Sequence, residues 1–183
     1  MADKHPSRPS NPNVSVDCVV FGFDEEQLKV LLIEQRTSGD FAPQLALPGD
    51  LVLQDENLDE SATRILKELT HLEGIYLKQF RAFGDPDRVN NLKDQEWLRT
   101  VRENPDARVI TVAYYSLVKM EAYRPEAASF AGKVIWQNVS EIPELGFDHN
   151  KIVNEALARL REEFEFKNIA FEFNPAKRIV EFQ

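Results

Sequence analysis

Asp50 to Leu72 reads DLVLQDENLDESATRILKELTHL, a polar loop running into a segment of helical periodicity. Ile65, Leu66, Leu69 and Leu72 recur on one side of a 3.6-residue repeat. Glu60, Ser61 and Ala62 open that segment, Asp59 is the expected N-cap, and an acidic first turn suits the helix dipole. Positions 65, 68 and 69 share a face, because residues three and four apart are neighbours on a helix. Here they read Ile, Glu and Leu. A single carboxylate on such a face is a poor magnesium site, since hard cations take several oxygen ligands.

Outward from this stretch the chain alternates strands and helices. On the N-terminal side, Val14 to Phe23 (VSVDCVVFGF) and Leu28 to Gln35 (LKVLLIEQ) are apolar, β-branched runs separated by Asp24 to Gln27. They predict a hairpin. Arg36 and a loop follow, then Leu45-Ala46-Leu47-Pro48-Gly49. On the C-terminal side, His71 or Gly74 is expected in the left-handed position that ends the helix. Ile75 to Phe83 alternates like a strand and Gly84 to Arg88 (GDPDR) turns the chain. Lys93 to Val101 predicts a helical turn or two, which is either a lid or a loop elaboration, the latter being the expectation. Arg108 to Val118 and Lys133 to Val139 predict strands, with Glu121 and Glu126 in the loop between them. Asp148 is expected to cap the helix Lys151 to Phe166, the alternative being an acid–base pair with His149.

The Asp50 to Leu72 stretch resembles the Nudix box, which runs Gly, five spacers, Glu, seven spacers, then Arg-Glu-aliphatic-any-Glu-Glu-any-Gly-aliphatic. The spacing matches without a gap. Glu56, Arg64, Leu66, Glu68 and Leu72 carry the family's residue types, whereas Asp50, Ile65, Leu69 and His71 replace Gly, Glu, Glu and Gly. Phe83 to Arg88 (FGDPDR) and Glu141 to His149 (EIPELGFDH) resemble segments of ADP-ribose pyrophosphatases and of Nudix-related transcriptional regulators. The resemblance implies an α/β fold, an α/β/α sandwich with a mixed sheet. It implies Glu68, Glu56 and Arg64 as catalytic residues, weak or vestigial here, and magnesium or manganese as the cofactor of an active enzyme. Glu68 and Asp50 are the remaining metal candidates, although Asp50 could instead distort its turn. Arg36, Arg88 and Asp85 are the expected ligand contacts, the arginines because guanidinium forks suit phosphate.

Length and composition bound the rest. A chain of 183 residues with 43% hydrophobic content suits one domain. The expected division is a disordered lead-in over residues 1–12, a Nudix domain over 13–166 and an appendage over 167–183. That appendage stops where the regulators continue into a winged-helix domain, so the DNA-binding half is expected to be missing. A net charge of −9 offers no basic footprint, and no direct nucleic-acid binding is expected. Cys18, the only cysteine, is expected to be buried and inert. No run reaches the roughly 18 apolar residues of a membrane span, and the N-terminus has no apolar signal region; the expectation is a cytoplasmic protein with no membrane partner. Two functions follow. A sensor would bind a nucleotide-type small molecule such as ADP-ribose with hydrolysis weak or absent; an enzyme would be a metal-dependent pyrophosphohydrolase using substitute carboxylates. A homodimer is a further expectation of the resemblance.

Overall fold

Strand β1 (Ser10–Phe23) is the axis of the molecule. The computed structural model describes residues 9–24, 26–35 and 43–166. Along one edge β1 pairs in parallel with β6 (Ile110–Lys119), from Val14↔Ile110 to Phe23↔Lys119, and β6 pairs outward with β5 (Lys78–Phe83). Its other edge is forked. The last residues, Phe21 to Phe23, pair with β2 (Leu28–Gln35) as the expected hairpin, whereas Ser10 to Asp17 pair with β4 (Gly49–Leu53). Beyond the fork, β2 pairs with β3 (Leu45–Ala46) and β7 (Ala131–Asn138). The result is a mixed seven-stranded sheet, and Leu47 and Pro48 cross the fork between β3 and β4.

Strand alternation assigns the two faces. Val16 and Cys18 of β1 point to one side, where they meet α1 (Leu58–Thr70) through Ala62, Ile65 and Leu69. Val19 and Phe21 point to the other, where they meet α3 (His149–Phe166) through Ile152, Val153, Ala156 and Leu160. One helix lies on each face, so the expected α/β/α sandwich is the observed one. Asp17 belongs by parity to the α3 side, at the end where the sheet forks.

Several boundaries differ from those expected, each for a local reason. Strand β1 starts at Ser10 rather than Val14, because Ser10 pairs with Leu53 of β4. Strand β5 starts at Lys78 rather than Ile75, because Ile75 turns inward beside Leu66 and Leu72. Helix α1 is capped by Asn57 and not Asp59: the Asn57 side chain accepts from Glu60 N–H and the Glu60 carboxylate accepts from Asn57 N–H, a reciprocal capping box. The Asp59 carboxylate accepts instead from the Tyr114 hydroxyl at 2.6 Å. His71 takes the left-handed cap at φ 56°, with Gly74 at φ 71° just beyond. The expected helical turn near residue 93 is a full helix, α2 (Leu92–Val101).

Candidate functional site

The frame of the box that this chain keeps is closed on itself. Glu56 accepts from Leu53 N–H at 2.8 Å, from Ser61 Oγ at 2.5 Å, and from Arg64 through Nε at 2.8 Å and Nη2 at 2.7 Å. Arg64 also donates to Leu51 O at 2.9 Å and to Glu68 at 3.0 Å. Burial opposes ionisation of Glu56, but the hydrogen bonds from Arg64, Ser61 and Leu53 outweigh it and hold its pKa down to about 2. Burial likewise opposes the Arg64 charge, and Glu56 and Glu68 more than restore it. The network ties the loop before α1 to the helix.

The face that would carry metal ligands is packed away. Ile65 is 0% and Leu69 1% exposed, against Val16, Cys18, Ile33 and Tyr114. Of the remaining metal candidates, Glu68 faces solvent in its ion pair with Arg64. Asp50 pairs with Val16 in β4, and its carboxylate accepts from Leu51 N–H at 2.7 Å. Burial pushes the Asp50 pKa up, against the pull of that hydrogen bond and of the nearby Arg102 and Arg64 charges. A carboxylate that resists ionisation is a weak ligand for a hard cation. Among the described residues no group of three or more His, Cys, Asp or Glu side chains is placed to hold a metal ion. These donors do not fit the family's magnesium or manganese.

A cleft opens where the sheet forks, with about 630 Å³ of atom-free space that includes the open solvent at its mouth. Its floor is a buried polar network. Arg88 holds Asp148 with both nitrogens, Nε at 3.1 Å and Nη2 at 2.8 Å, and approaches Asp17 Oδ2 at 3.5 Å. His149 Nδ1 accepts from Leu47 N–H at 2.9 Å, so its proton lies on Nε2, 3.6 Å from Asp17 Oδ1. Burial lowers the His149 pKa more than Asp17 raises it; the imidazole is neutral at pH 7. Gly49 lets the loop pass, because a Cβ there would stand 1.9 Å from Asp17 Oδ1.

Helix α2 forms a wall of this cleft through Trp97, Val101 and the following Arg102. It is part of the site, where a loop elaboration was expected. Trp97 meets Phe130 and Phe147 edge to face, at centroid distances of 5.5 and 6.0 Å. Asp94 Oδ2 accepts from Phe147 N–H at 3.0 Å and holds that residue at a left-handed φ of 57°. Burial, with the Asp148 and Glu144 charges nearby, pushes the Asp94 pKa up to about 6.

The expected site residues therefore separate. Arg88 and Asp50 line the cleft, though Arg88 is committed to Asp148. Asp148 precedes α3 and its carbonyl accepts from Lys151 and Ile152, but its carboxylate serves Arg88 rather than capping the helix. Glu56, Arg64 and Glu68 form their own cluster at α1. Asp85 is exposed, paired with Lys151 at 2.6 Å and away from the cleft. Arg36 lies outside the described residues. Asp17, Trp97 and Arg102 were not anticipated; Asp17 had a signal, as the one acid inside VSVDCVVFGF.

The NUDIX domain profile matches residues 11–157. An ADPR-responsive transcriptional repressor, NtrR, of Acinetobacter baylyi is 28% identical over 169 residues, covering 90% of this chain and 61% of the repressor. An ADP-ribose pyrophosphatase of Methanocaldococcus jannaschii is 26% identical, covering 79% of this chain and 73% of that protein. The Nudix domain of Shewanella oneidensis NrtR, crystallised with ADP-ribose, aligns with a TM-score of 0.64 at 25% identity over 87% of this chain and 95% of that one. NrtR in complex with a 27mer DNA aligns with a TM-score of 0.59 at 27% identity, covering 82% of this chain and 63% of NrtR. The chain thus spans about three fifths of the length of these regulators. The expectation of no nucleic-acid partner is corrected by this kinship with a repressor and with a DNA-bound regulator. It rested on net charge, a sum over 183 residues, whereas DNA contact depends on local surface. Among the described residues no helix is long and apolar enough to cross a membrane. With its box spacing, its sandwich of α1 and α3 about a mixed sheet, and a profile match over residues 11–157, the chain belongs to the NUDIX domain family.

Proposed function

We propose that this chain is a cytoplasmic ligand-sensing Nudix domain that binds a nucleoside-diphosphate-linked sugar of the ADP-ribose type in the fork of its sheet and hydrolyses it weakly or not at all. The observation that carries the reading is the burial of Ile65 and Leu69 at 0% and 1% exposure. Two of the three positions that would present carboxylates to a metal are hydrophobic core, and without metal charge a diphosphate cleavage forfeits several kcal/mol of barrier reduction. The cleft survives beside them with an ordered floor, because Arg88 holds Asp148 and Leu47 N–H holds His149. Kinship with an ADPR-responsive repressor supports a role in which ligand occupancy is passed to a regulatory output on DNA.

The test is to titrate ADP-ribose into the protein with magnesium and then manganese, following heat of binding and AMP release in parallel. Saturable binding without turnover is the expected result. Turnover at ordinary enzymatic rates, about 1 s⁻¹ or faster, would overturn the sensor reading in favour of a hydrolase with substitute carboxylates.

A further inference from the structure

Two arginines line the cleft in opposite conditions. Arg88 is buried and ion-paired, with Asp148 and Asp17 about its guanidinium. Arg102 is more than half buried, yet among the described residues its guanidinium makes no hydrogen bond and no ion pair. Asp50 and Asp17 influence its charge from a distance, and burial pulls its pKa down more than they raise it. A guanidinium offers five N–H donors, and keeping them from water with no acceptor is unfavourable. A second donor in the same wall shares the condition: Trp97 is 8% exposed and its Nε1 has no hydrogen-bond partner among the described residues. Both lie on α2 and its C-terminal cap, and both line the cleft.

We propose that Arg102, assisted by Trp97 Nε1, is the anion-binding arm of the cleft and receives the diphosphate of a nucleoside-diphosphate ligand. The inference rests on the reading of the cleft as a ligand site. Phosphate oxygens are acceptors only, and a guanidinium fork meets two of them at once with charge-assisted hydrogen bonds. Unpaired donors on one wall match that chemistry. Recognition then sits on α2 and is independent of the box, which fits a domain whose box retains its structural residues and lacks two of its glutamates.

Binding is measured by calorimetry with ADP-ribose, inorganic pyrophosphate and adenosine, on wild type, Arg102→Ala, Arg102→Lys and Asp50→Asn. Arg102→Ala is expected to weaken ADP-ribose binding about tenfold to a hundredfold and to abolish pyrophosphate binding, with adenosine unaffected and the melting temperature unchanged. Arg102→Lys should fall between. Asp50→Asn removes a competing carboxylate and should tighten pyrophosphate; if Arg102 serves only as a counter-charge to Asp50, that variant weakens binding or changes nothing, which overturns the proposal even should Arg102→Ala fold poorly. Binding of ADP-ribose by Arg102→Ala within twofold of wild type overturns this assignment and leaves the sensor reading standing. Pyrophosphate binding that depends on Arg102, with no binding of ADP-ribose, does the reverse. Wild type that binds neither overturns both.

Discussion

Helices α1 and α2 both border the fork of the sheet, and they treat their polar groups in opposite ways. At α1 the charged groups of the box frame are matched: Glu56, just before the helix, takes four hydrogen bonds, two of them from Arg64, which also reaches Leu51 O, and the inward positions are aliphatic. On α2, Asp94 Oδ1, Gln95 Oε1, Glu96 Oε2 and Trp97 Nε1 are buried atoms with no hydrogen-bond partner among the described residues. Buried polar groups in native proteins are almost always satisfied. A helix whose groups are all satisfied has become scaffold; one that leaves several waiting is placed to meet water or ligand. The part of the chain that resembles an active site is the more finished structure, and the unfinished part is a helix that the box pattern does not describe.

The sharpest way to break this contrast is to return the glutamates to α1. Ile65→Glu with Leu69→Glu would bury two carboxylates among Val16, Cys18 and Ile33, and loss of several kcal/mol or failure to fold is expected in urea denaturation. A well-folded double variant that binds magnesium would show the helix face to be free after all. Next in size, Glu56→Ala strands Arg64, whose side chain is 13% exposed, and should cost about 3 kcal/mol of unfolding free energy.

On α2 the expected sign is reversed. The folded protein holds the Asp94 proton more tightly than the unfolded chain, so stability should fall as pH rises from about 4 to about 6 and stay reduced above. Asp94→Asn keeps an acceptor for Phe147 N–H and removes the charge; a gain of about 2 kcal/mol at pH 7 is expected, with the fall between pH 4 and 6 flattened in thermal melts at stepped pH. A loss at pH 7 would mean that the ionised form is the one the fold requires. Smallest of all, Trp97→Phe keeps the ring contacts with Phe130 and Phe147 and deletes an unpaired donor, so stability should move by less than about 1 kcal/mol. A larger drop would show Nε1 to be satisfied within the protein.

Most of the fold was legible because it follows from periodicity. The hairpin, the box helix, the strand at Ile110 to Lys119 and the last helix each carry a repeat of 2 or 3.6 that short-range reading detects. Burial at Ile65 and Leu69 was likewise implied by their type and spacing. The cap at Asn57 was missed because Asn57 and Asp59 are both good capping residues, and Tyr114, 55 residues further on, takes Asp59. The cleft was illegible for the same reason at larger scale. Asp17, Arg88 and Asp148 come from three distant segments and meet only because β1 forks at that point. Arg88, named from the sequence as a ligand contact, lines the cleft, but its partner at Asp148 had no local sign. Arg102 has no local sequence feature that marks it as part of a site.

The parallel pairing of β1 with β6 has a consequence for how the chain is made. Ten rungs join Val14–Phe23 to Ile110–Lys119, so this strand has no partner along that edge until synthesis has passed Lys119. Contacts of such long sequence separation close late and slowly. During that interval Val16 to Phe21 is an exposed β-prone segment, broken by a single charge at Asp17. The same aspartate that anchors the cleft floor is therefore the residue that guards the nascent strand against pairing with its own copies, and replacing it with a neutral residue should lower the soluble yield of the newly made chain before any ligand is involved.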